Sequence, residues 1–242
     1  MSNVTTAVIM AAGMGTRFGH KTDDMPKGFI EAGGIPMVER SVQTLIDCGI
    51  RRIVIGVGYH KEAYLALKCR FPQTECVENP DYAGTNSMHT LYCCRTALAP
   101  GEDFLLLESD LVYERRAIEA LLDCPQPDVM LITPVTKFQD QYYVECDRHN
   151  VLTRCSTDST ALSAKGELVG IHKLSATFFA KMAADYERRL PGARNMGYEY
   201  QLLHMSQTGS PVYVLCEEGL AWYEIDDERD LEYAEKNILQ RL

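Results

Sequence analysis

The chain has 242 residues, enough for one α/β domain, and 46% are hydrophobic, which excludes a largely disordered protein. A net charge of −10 argues against a general nucleic-acid binder, and the apolar runs are too short to span a membrane. Nine cysteines, an odd number, do not suggest a disulfide framework, and the N-terminus does not look like a signal peptide. We therefore expect a cytoplasmic protein with small-molecule substrates and no nucleic-acid or membrane partner.

A glycine-rich stretch near the N-terminus is the first chemical signal. The apolar run over residues 4–12 predicts a buried strand. Three glycines follow it: Gly13, Gly15 and Gly19. Glycines let the backbone turn sharply and bring its N–H groups close to phosphate oxygens. Arg17 and Lys27 add positive charge there, so the stretch predicts a nucleoside triphosphate site.

Two familiar phosphate-binding motifs do not fit this stretch. A dinucleotide turn requires G-x-G-x-x-G before a helix, but the glycines here are one residue too far apart and residues 20–26 read as a loop. A P-loop requires Gly-Lys followed by Ser or Thr, and the sequence has no such tripeptide.

The remaining elements alternate along the chain. Strands are predicted over 52–57, 75–78, 104–107, 129–133, 142–146, 151–155, 167–174, 212–216 and 222–225. Helices are predicted over 36–48, 61–69, 86–98, 114–122, from Ser175 to about 189, over 196–207, and from Asp226 or Asp227 to about 239. This order predicts one α/β domain over 1–242, with a mostly parallel central sheet flanked by helices and a small antiparallel hairpin insertion at 142–155.

Two aspartates follow predicted strands and are candidate metal ligands. Asp110 ends the sequence ESD, and Asp226 lies in YEIDD. The carboxyl ends of parallel strands form the ligand crevice, although either residue could instead serve as a turn or helix cap. Mg²⁺ prefers carboxylate and phosphate oxygens, so the two together predict a magnesium site.

The combined pattern resembles the sugar-nucleotidyltransferase superfamily. The matching residues are Ala11, Ala12, Gly13, Gly15, Thr16 and Arg17, followed by Pro26 and Lys27. Five further stretches are similar to the small cytidylyltransferases that activate phosphocholine or 2-aminoethylphosphonate: 34–45, 79–92, 105–114, 167–175 and 222–226. The resemblance implies a Rossmann-like, GT-A-like nucleotidyltransferase fold, with 1–110 mainly binding nucleotide and 111–242 mainly binding the acceptor.

The resemblance also implies roles for individual residues. Lys27 and Arg17 would contact the phosphates and carry catalysis, and Asp110 and Asp226 would bind Mg²⁺. Nucleotide binding would involve the loop residues named above together with Thr85, Asn86, Ser87 and Ser109. The implied reaction transfers CMP from CTP to an acceptor anion and releases pyrophosphate.

The acceptor half offers candidates for holding a phosphonate that carries an amine. These are Tyr142, Lys173, Tyr198, Glu199 and Trp222. Lys173 could grip the phosphonate, and Glu199 could accept hydrogen bonds from a primary ammonium. A quaternary ammonium relies on aromatic faces instead, and the chain has one tryptophan. We therefore favour 2-aminoethylphosphonate over phosphocholine.

Other functions remain open at this point. A phosphocholine cytidylyltransferase making CDP-choline, or a sugar-1-phosphate nucleotidyltransferase using another triphosphate, fits the same loop. A non-catalytic nucleotide-binding module is a candidate of a different class. The sequence does not give the oligomeric state.

Overall fold

The computed structural model describes residues 4–136, 141–163 and 165–242. Within these ranges the strands are β1 Thr6–Ala11, β2 Glu31–Ala32, β3 Ile35–Pro36, β4 Arg52–Val57, β5 Thr74–Glu78, β6 Phe104–Glu108, β7 Leu111–Tyr113, β8 Val129–Thr133, β9 Tyr143–Cys146, β10 Leu152–Ser156, β11 Gly166–Leu174, β12 Tyr213–Cys216 and β13 Trp222–Glu224. The α-helices of the same ranges are α1 Met37–Asp47, α2 Lys61–Ala66, α3 Ser87–Cys94, α4 Arg116–Asp123, α5 Ala176–Ala193, α6 Tyr198–Gln207 and α7 Glu228–Asn237.

One large sheet organises the fold, with strand order β10-β9-β11-β6-β1-β4-β5. The strands β6, β1, β4 and β5 are parallel to one another. Strand β11 runs antiparallel to β6, β8 and β9, and β8 pairs in parallel with β12. The predicted parallel sheet and the hairpin of β9 and β10 are both confirmed, and the hairpin is joined to the main sheet through β11.

Helices cover both faces of this sheet. Alternate residues of β1 point to opposite sides, so Ile9 enters one hydrophobic core and Val8 the other. Side chains from α1, α2 and α4 pack in the first core, and those from α3, α5 and α6 pack in the second. Strands buried on both faces read as continuous apolar runs, which is why β1 and β6 were predictable from sequence.

Helix ends show where sequence reasoning was less exact. The Ser175 side chain accepts a hydrogen bond from the Phe178 N–H and begins α5, as predicted, but α5 continues through Pro191. Helix α3 ends at Cys94 instead of residue 98. Asp227 caps α7 by accepting from two backbone N–H groups, which leaves the Asp226 carboxylate for the adjacent cleft.

Among the described residues, no helix combines the length and the apolar character that a membrane crossing requires.

Candidate active site

A cleft of about 360 Å³ opens where β1 and β6 end. This is the carboxyl edge of the parallel strands, where ligands bind in open α/β sheets. Its lining residues are Met10, Ala12, Gly13, Gly15, Thr16, Arg17, Lys27, Tyr64, Tyr82, Thr85, Asn86, Ser87, Thr90, Glu108, Ser109, Asp110 and Asp226. Most sequence-predicted nucleotide residues therefore lie in one cleft; Ala11 is buried in β1 and does not line it.

The glycine loop brings its backbone close to Lys27. Gly15 has a φ of +63°, in the left-handed region that favours glycine. A Cβ at this position would come within 2.9 Å of the Lys27 Cβ and 3.2 Å of the Thr22 Cγ2. Glycine is therefore required at position 15 both for the turn and for the close contact with Lys27.

Lys27 joins the two predicted metal ligands. Its Nζ lies 2.5 Å from Asp110 Oδ2 and 2.5 Å from Asp226 Oδ1, and its side chain is only 12% exposed. Burial alone would lower the pKa of Lys27, but the nearby carboxylates, Asp110 first among them, outweigh burial and raise it. The lysine therefore carries a fixed positive charge at the cleft floor.

Arg17 adds a second, more exposed cation. Its guanidinium lies 2.8 Å from the same Asp226 oxygen that Lys27 contacts, with 58% of its side chain exposed. Asp226 itself is buried, with 6% of its side chain exposed, so the pair joins an exposed guanidinium to a buried carboxylate. Arg17 therefore lines the cleft with its charge accessible to a bound anion.

A two-stranded ribbon brings the distant aspartates together. Strands β7 and β13 pair antiparallel, with Glu224 opposite Leu111. The N–H of Ile225 donates to the Asp110 carbonyl over 3.0 Å, so the chain leaves β13 directly beside Asp110. This pairing brings Asp110 and Asp226, which are 116 positions apart in sequence, to the same cleft.

Among the residues that the structure describes, three carboxylates form a group that could hold a metal ion. One oxygen from each of Glu108, Asp110 and Glu224 lies within 4.8 Å of the others. Burial raises the pKa of Glu108 well above its usual range, and the charges of Glu224, Asp110 and Glu199 raise it further. Such a concentration of carboxylates suits a hard cation such as Mg²⁺. Of the two aspartates expected to bind Mg²⁺, Asp110 belongs to this group, whereas Asp226 lies outside it and contacts Lys27, which also contacts Asp110.

The segment before α3 forms the opposite wall. Asn86 caps the helix, since its side chain accepts from the Ser87 N–H over 2.7 Å, and it also lines the cleft. Ser87 Oγ accepts from the Tyr198 N–H over 3.0 Å, which ties α3 to α6. Thr85 donates to the Asp81 carbonyl over 2.9 Å. The capping role and the cleft-lining position of Asn86 are thus compatible.

Behind Glu108 lies a buried polar layer formed by residues of the C-terminal part of the chain. Tyr198 donates to Glu108 Oε1 over 2.7 Å, and the His172 Nε2–H donates to the Tyr198 oxygen over 3.0 Å. Burial lowers the pKa of His172 to about 3, so the imidazole is neutral at physiological pH. Tyr198, which the sequence predicted to contact the acceptor, therefore orients Glu108, one of the three carboxylates that could hold a metal ion.

Glu199 is a buried carboxylate with one oxygen that lacks a hydrogen-bond partner among the described residues. The residue is 5% exposed, and its Oε2 makes no hydrogen bond to any described residue. Burial raises its pKa to about 7. The charge of Glu199 in turn helps raise the pKa of Tyr142, whose ring packs edge-on against Tyr200 at 5.6 Å between centroids. Tyr142, Tyr198 and Glu199 lie near one another behind Glu108, and none of the three lines the cleft itself.

Glu199→Gln is expected to flatten the pH dependence of stability. The pKa rises from 4.5 in the unfolded chain to about 7 in the native protein, which holds this proton more tightly. The contribution of this proton to the free energy of unfolding is therefore fully present below about pH 4.5 and is lost as the pH rises through about 7. The loss is on the order of 3 kcal/mol at most. Urea unfolding at pH 5 and pH 8 should show a smaller decline for the variant; parallel declines would contradict this assignment.

Two predicted acceptor residues lie elsewhere. Lys173 is 3% exposed, and its Nζ donates to the Cys124 carbonyl over 2.5 Å. It pairs with Leu105 near the start of β6, whereas the cleft is at the end of β6. Trp222 packs in the first hydrophobic core, and its indole N–H donates to Thr133 over 3.0 Å. Both expectations are corrected, because neither side chain reaches the cleft.

Sequence reasoning missed Glu108 and Glu224. Each precedes a predicted aspartate by two residues, Asp110 or Asp226. Successive side chains of a strand alternate between faces, so residues two apart share a side. That periodicity was a signal available in the sequence. Further lining residues were also not singled out: Met10, Tyr64, Tyr82 and Thr90.

Curated relatives share parts of this chain. The 2-aminoethylphosphonate cytidylyltransferase of Lancefieldella rimae is 40% identical over 108 residues, which are 45% of this chain and 44% of that protein. The CMP-5'-(3-aminopropyl)phosphonate synthase of Streptomyces rubellomurinus is 26% identical over 246 residues, 95% of this chain and 38% of that protein. The chain thus spans less than half the length of these two relatives.

Solved structures share the fold over nearly the whole chain. The CTP:phosphocholine cytidylyltransferase of Streptococcus pneumoniae superposes with a TM-score of 0.81 at 22% identity, covering 96% of this chain and 99% of that one. A UDP-glucose pyrophosphorylase superposes with a TM-score of 0.79 at 12% identity, covering 99% and 100%. These neighbours confirm the predicted nucleotidyltransferase fold.

The family assignment rests on a longer match. The profile of the MobA-like NTP transferase domain matches residues 7–195, which include the glycine loop, Lys27, Asp110 and Glu108. With this match and the fold neighbours, the chain belongs to the family of MobA-like NTP transferases.

Proposed function

We propose that the protein is a Mg²⁺-dependent cytidylyltransferase that transfers CMP from CTP to 2-aminoethylphosphonate. The observation that carries this proposal is the arrangement of Lys27 between Asp110 and Asp226 at a cleft lined by the glycine loop. Support for the base and the acceptor comes from the relatives, two of which are named for cytidylyl transfer to aminoalkylphosphonates.

The reaction needs positioning and charge neutralisation more than proton transfer. A phosphonate oxygen of the acceptor forms a bond to the α-phosphorus of CTP. The bond from that phosphorus to the oxygen bridging to the β-phosphorus breaks, and pyrophosphate leaves with the electron pair. Because the acceptor is already an anion, no strong base is required.

Two cations of the chain are placed to assist this displacement. Lys27 and Arg17 converge on one oxygen of Asp226, and all three residues line the cleft. The fixed charge of Lys27 and the exposed charge of Arg17 offset the repulsion between two anions and the charge on the leaving pyrophosphate. Glu108, Asp110 and Glu224 would hold Mg²⁺, which supplies further positive charge to the phosphates when bound.

Glu199 is proposed to receive the ammonium of the acceptor. A primary ammonium has three N–H donors and pairs well with a carboxylate. The Oε2 atom of Glu199 is buried without a hydrogen-bond partner among the described residues, and its charge acts on the phenol groups of Tyr142 and Tyr198, whose pKa is raised first by burial and further by nearby charges such as Glu199. An ammonium here would stabilise the ionised carboxylate, which burial alone disfavours.

Phosphocholine is the second candidate acceptor. The choline-phosphate cytidylyltransferase of Streptococcus pneumoniae is 37% identical over 38% of this chain, and the tyrosine pair of Tyr142 and Tyr200 could face a quaternary ammonium. The burial of Trp222 removes the strongest aromatic group from this role, and the partnerless oxygen of Glu199 favours a hydrogen-bond donor.

Pyrophosphate release tests the proposed function and its alternatives. The assay combines each of the four ribonucleoside triphosphates, and dTTP, with 2-aminoethylphosphonate, phosphocholine and sugar 1-phosphates. We expect release only with CTP, and fastest with 2-aminoethylphosphonate. Release with sugar 1-phosphates and another triphosphate would instead identify a sugar nucleotidyltransferase. Nucleotide binding without release would identify a non-catalytic module.

Glu199→Gln is expected to raise KM for 2-aminoethylphosphonate by at least about tenfold, since a charge-assisted hydrogen bond contributes roughly 1.5–3 kcal/mol. KM for CTP should change less than twofold. Initial rates measured at varied acceptor and saturating CTP give the comparison, with the exposed Glu62→Gln on α2 as control. An unchanged KM for the acceptor would remove Glu199 from amine recognition.

A further inference from the structure

We infer that Tyr59 is a positioning residue that fixes the glycine loop, defined here as residues 13–23, for nucleotide binding. The expected effect on KM for CTP rests on the proposed function, whereas the expected effect on the order of the loop does not. Tyr59 follows β4, outside the nucleotide-binding motif found in the sequence, and it does not line the cleft. Its hydroxyl donates to the Thr22 carbonyl over 2.9 Å, with a longer contact of 3.4 Å to the Asp23 carbonyl.

His60 holds the same part of the loop. Its Nε2–H donates to the Asp23 carbonyl over 2.9 Å, and its ring lies against the Tyr59 ring with 4.1 Å between centroids. His60 has a φ of +47°, a left-handed conformation that is uncommon for residues other than glycine. A backbone held in this region beside the glycine loop is a reason to look for a functional constraint.

Thr22 connects Tyr59 to the glycines of the loop, because its carbonyl accepts from Tyr59 and its hydroxyl bonds to two glycine carbonyls. Its side chain is buried, and its hydroxyl lies 3.2 Å from the Gly15 carbonyl and 3.1 Å from the Gly19 carbonyl. Gly15 in turn lies against Lys27, with no space for a side chain between them. Tyr59 thereby acts through Thr22 on Gly15, which lines the cleft, and on Gly19 farther along the loop.

The other side of Tyr59 faces the opposite wall of the cleft. Its ring lies 6.3 Å from the ring of Tyr82, which lines the cleft next to the segment of Thr85 and Asn86. Its N–H donates to the Ala12 carbonyl over 3.2 Å. One residue thus contacts the strand end, the glycine loop and the wall proposed to face the base, so its hydroxyl can set the width between phosphate and base sites.

Tyr59→Phe tests this role, because it removes the hydroxyl and keeps the ring contacts with His60 and Tyr82. Hydrogen–deuterium exchange of residues 13–23 in the substrate-free enzyme should become about fivefold faster, as expected for loss of one hydrogen bond. KM for CTP should rise by about the same factor, while KM for 2-aminoethylphosphonate stays within twofold. Tyr213→Phe, at the sheet edge far from the cleft, is the matched control.

A second pair of variants separates positioning from general stability. Thr22→Val keeps the side-chain shape and removes the hydroxyl, and Thr22→Ser keeps the hydroxyl. We expect Val to reproduce the effects of Tyr59→Phe and Ser to restore wild-type KM for CTP. The double variant of Tyr59→Phe and Thr22→Val should be less than additive, since both act on the same contact chain.

Three results would overturn the inference. The first is unchanged exchange of residues 13–23 in Tyr59→Phe, which counts whether or not the enzyme uses CTP. The second is an equal rise in KM for both substrates together with a lowered Tm, which indicates a general loss of stability. The third is full additivity in the double variant. A wild type that is inactive with CTP would instead contradict the proposed function and leave the exchange result to decide on Tyr59.

Discussion

Lys27→Ala is expected to lower kcat about 100- to 1000-fold, the loss typical of removing one preorganised group that stabilises transition-state charge. The structure supplies the reason, because the Lys27 ammonium is buried at the cleft floor within 2.5 Å of both Asp110 and Asp226. Its positive charge is therefore fixed before substrate arrives. As charge builds on the leaving pyrophosphate, that preorganised cation matters most in the transition state.

The control for this variant is Lys21→Ala in the same loop. Lys21 is half exposed and pairs with Glu228 over 3.0 Å, away from the cleft. Its loss should change kcat less than twofold. Because removing Lys27 leaves Asp110 and Asp226 facing each other, thermal unfolding with and without Mg²⁺ should accompany the kinetics. A folded Lys27→Ala enzyme with near-normal kcat would exclude this lysine from the mechanism.

Asp110→Asn and Asp226→Asn are expected to raise the Mg²⁺ concentration for half-maximal rate by at least about tenfold, the effect of losing roughly 1.4 kcal/mol of metal affinity. Asp110 shares the three-carboxylate group with Glu108 and Glu224. Asp226 holds Lys27 and Arg17, so its loss should also lower kcat at saturating Mg²⁺. The two variants should therefore differ: Asp110→Asn mainly in Mg²⁺ affinity, Asp226→Asn in both quantities.

Asp227→Asn is the matched control for these two variants. Asp227 neighbours Asp226 but caps α7, and asparagine is an equally good N-cap residue. Its Mg²⁺ titration should follow that of the parent. Titrating the activity with Mg²⁺ gives the half-maximal concentration and kcat, and electron paramagnetic resonance measures Mn²⁺ binding directly. A wild-type Mg²⁺ titration in Asp110→Asn would remove Asp110 from the metal site, and a wild-type titration together with a wild-type kcat in Asp226→Asn would make Asp226 structural only.

Local patterns predicted most of the residues that line the glycine-loop side of the cleft. The glycines, Arg17 and Lys27 follow the first strand within a short stretch of chain, so their proximity follows from sequence distance alone. Asn86 and Ser87 were also predictable, because a helix N-terminus places them at a strand-helix junction. Asp110 and Asp226 required a further step, since only the pairing of β7 with β13 brings them together.

The errors on the acceptor side have a topological cause. Lys173 lies near the end of its strand, and the ends of parallel strands meet at the cleft. Strand β11, however, runs antiparallel to β6, so its end lies at the opposite edge of the sheet. A sequence pattern predicts that a strand exists but not its direction. Trp222 lies on the strand that precedes Asp226, but its ring packs in the first hydrophobic core and its indole N–H is bonded to Thr133, a long-range contact that the sequence pattern does not reveal.

The most direct test of the central claim is ³¹P NMR of a mixture of enzyme, Mg²⁺, CTP and 2-aminoethylphosphonate. The account predicts that the phosphonate signal is replaced by two coupled signals, one from the phosphonate and one from the CMP phosphorus, as pyrophosphate appears in equal amount. Coupling between them identifies the new P–O–P linkage. The contradicting result has two parts. The phosphonate signal stays unchanged in this mixture, and in separate mixtures the same enzyme consumes CTP with another acceptor, or another triphosphate with any acceptor.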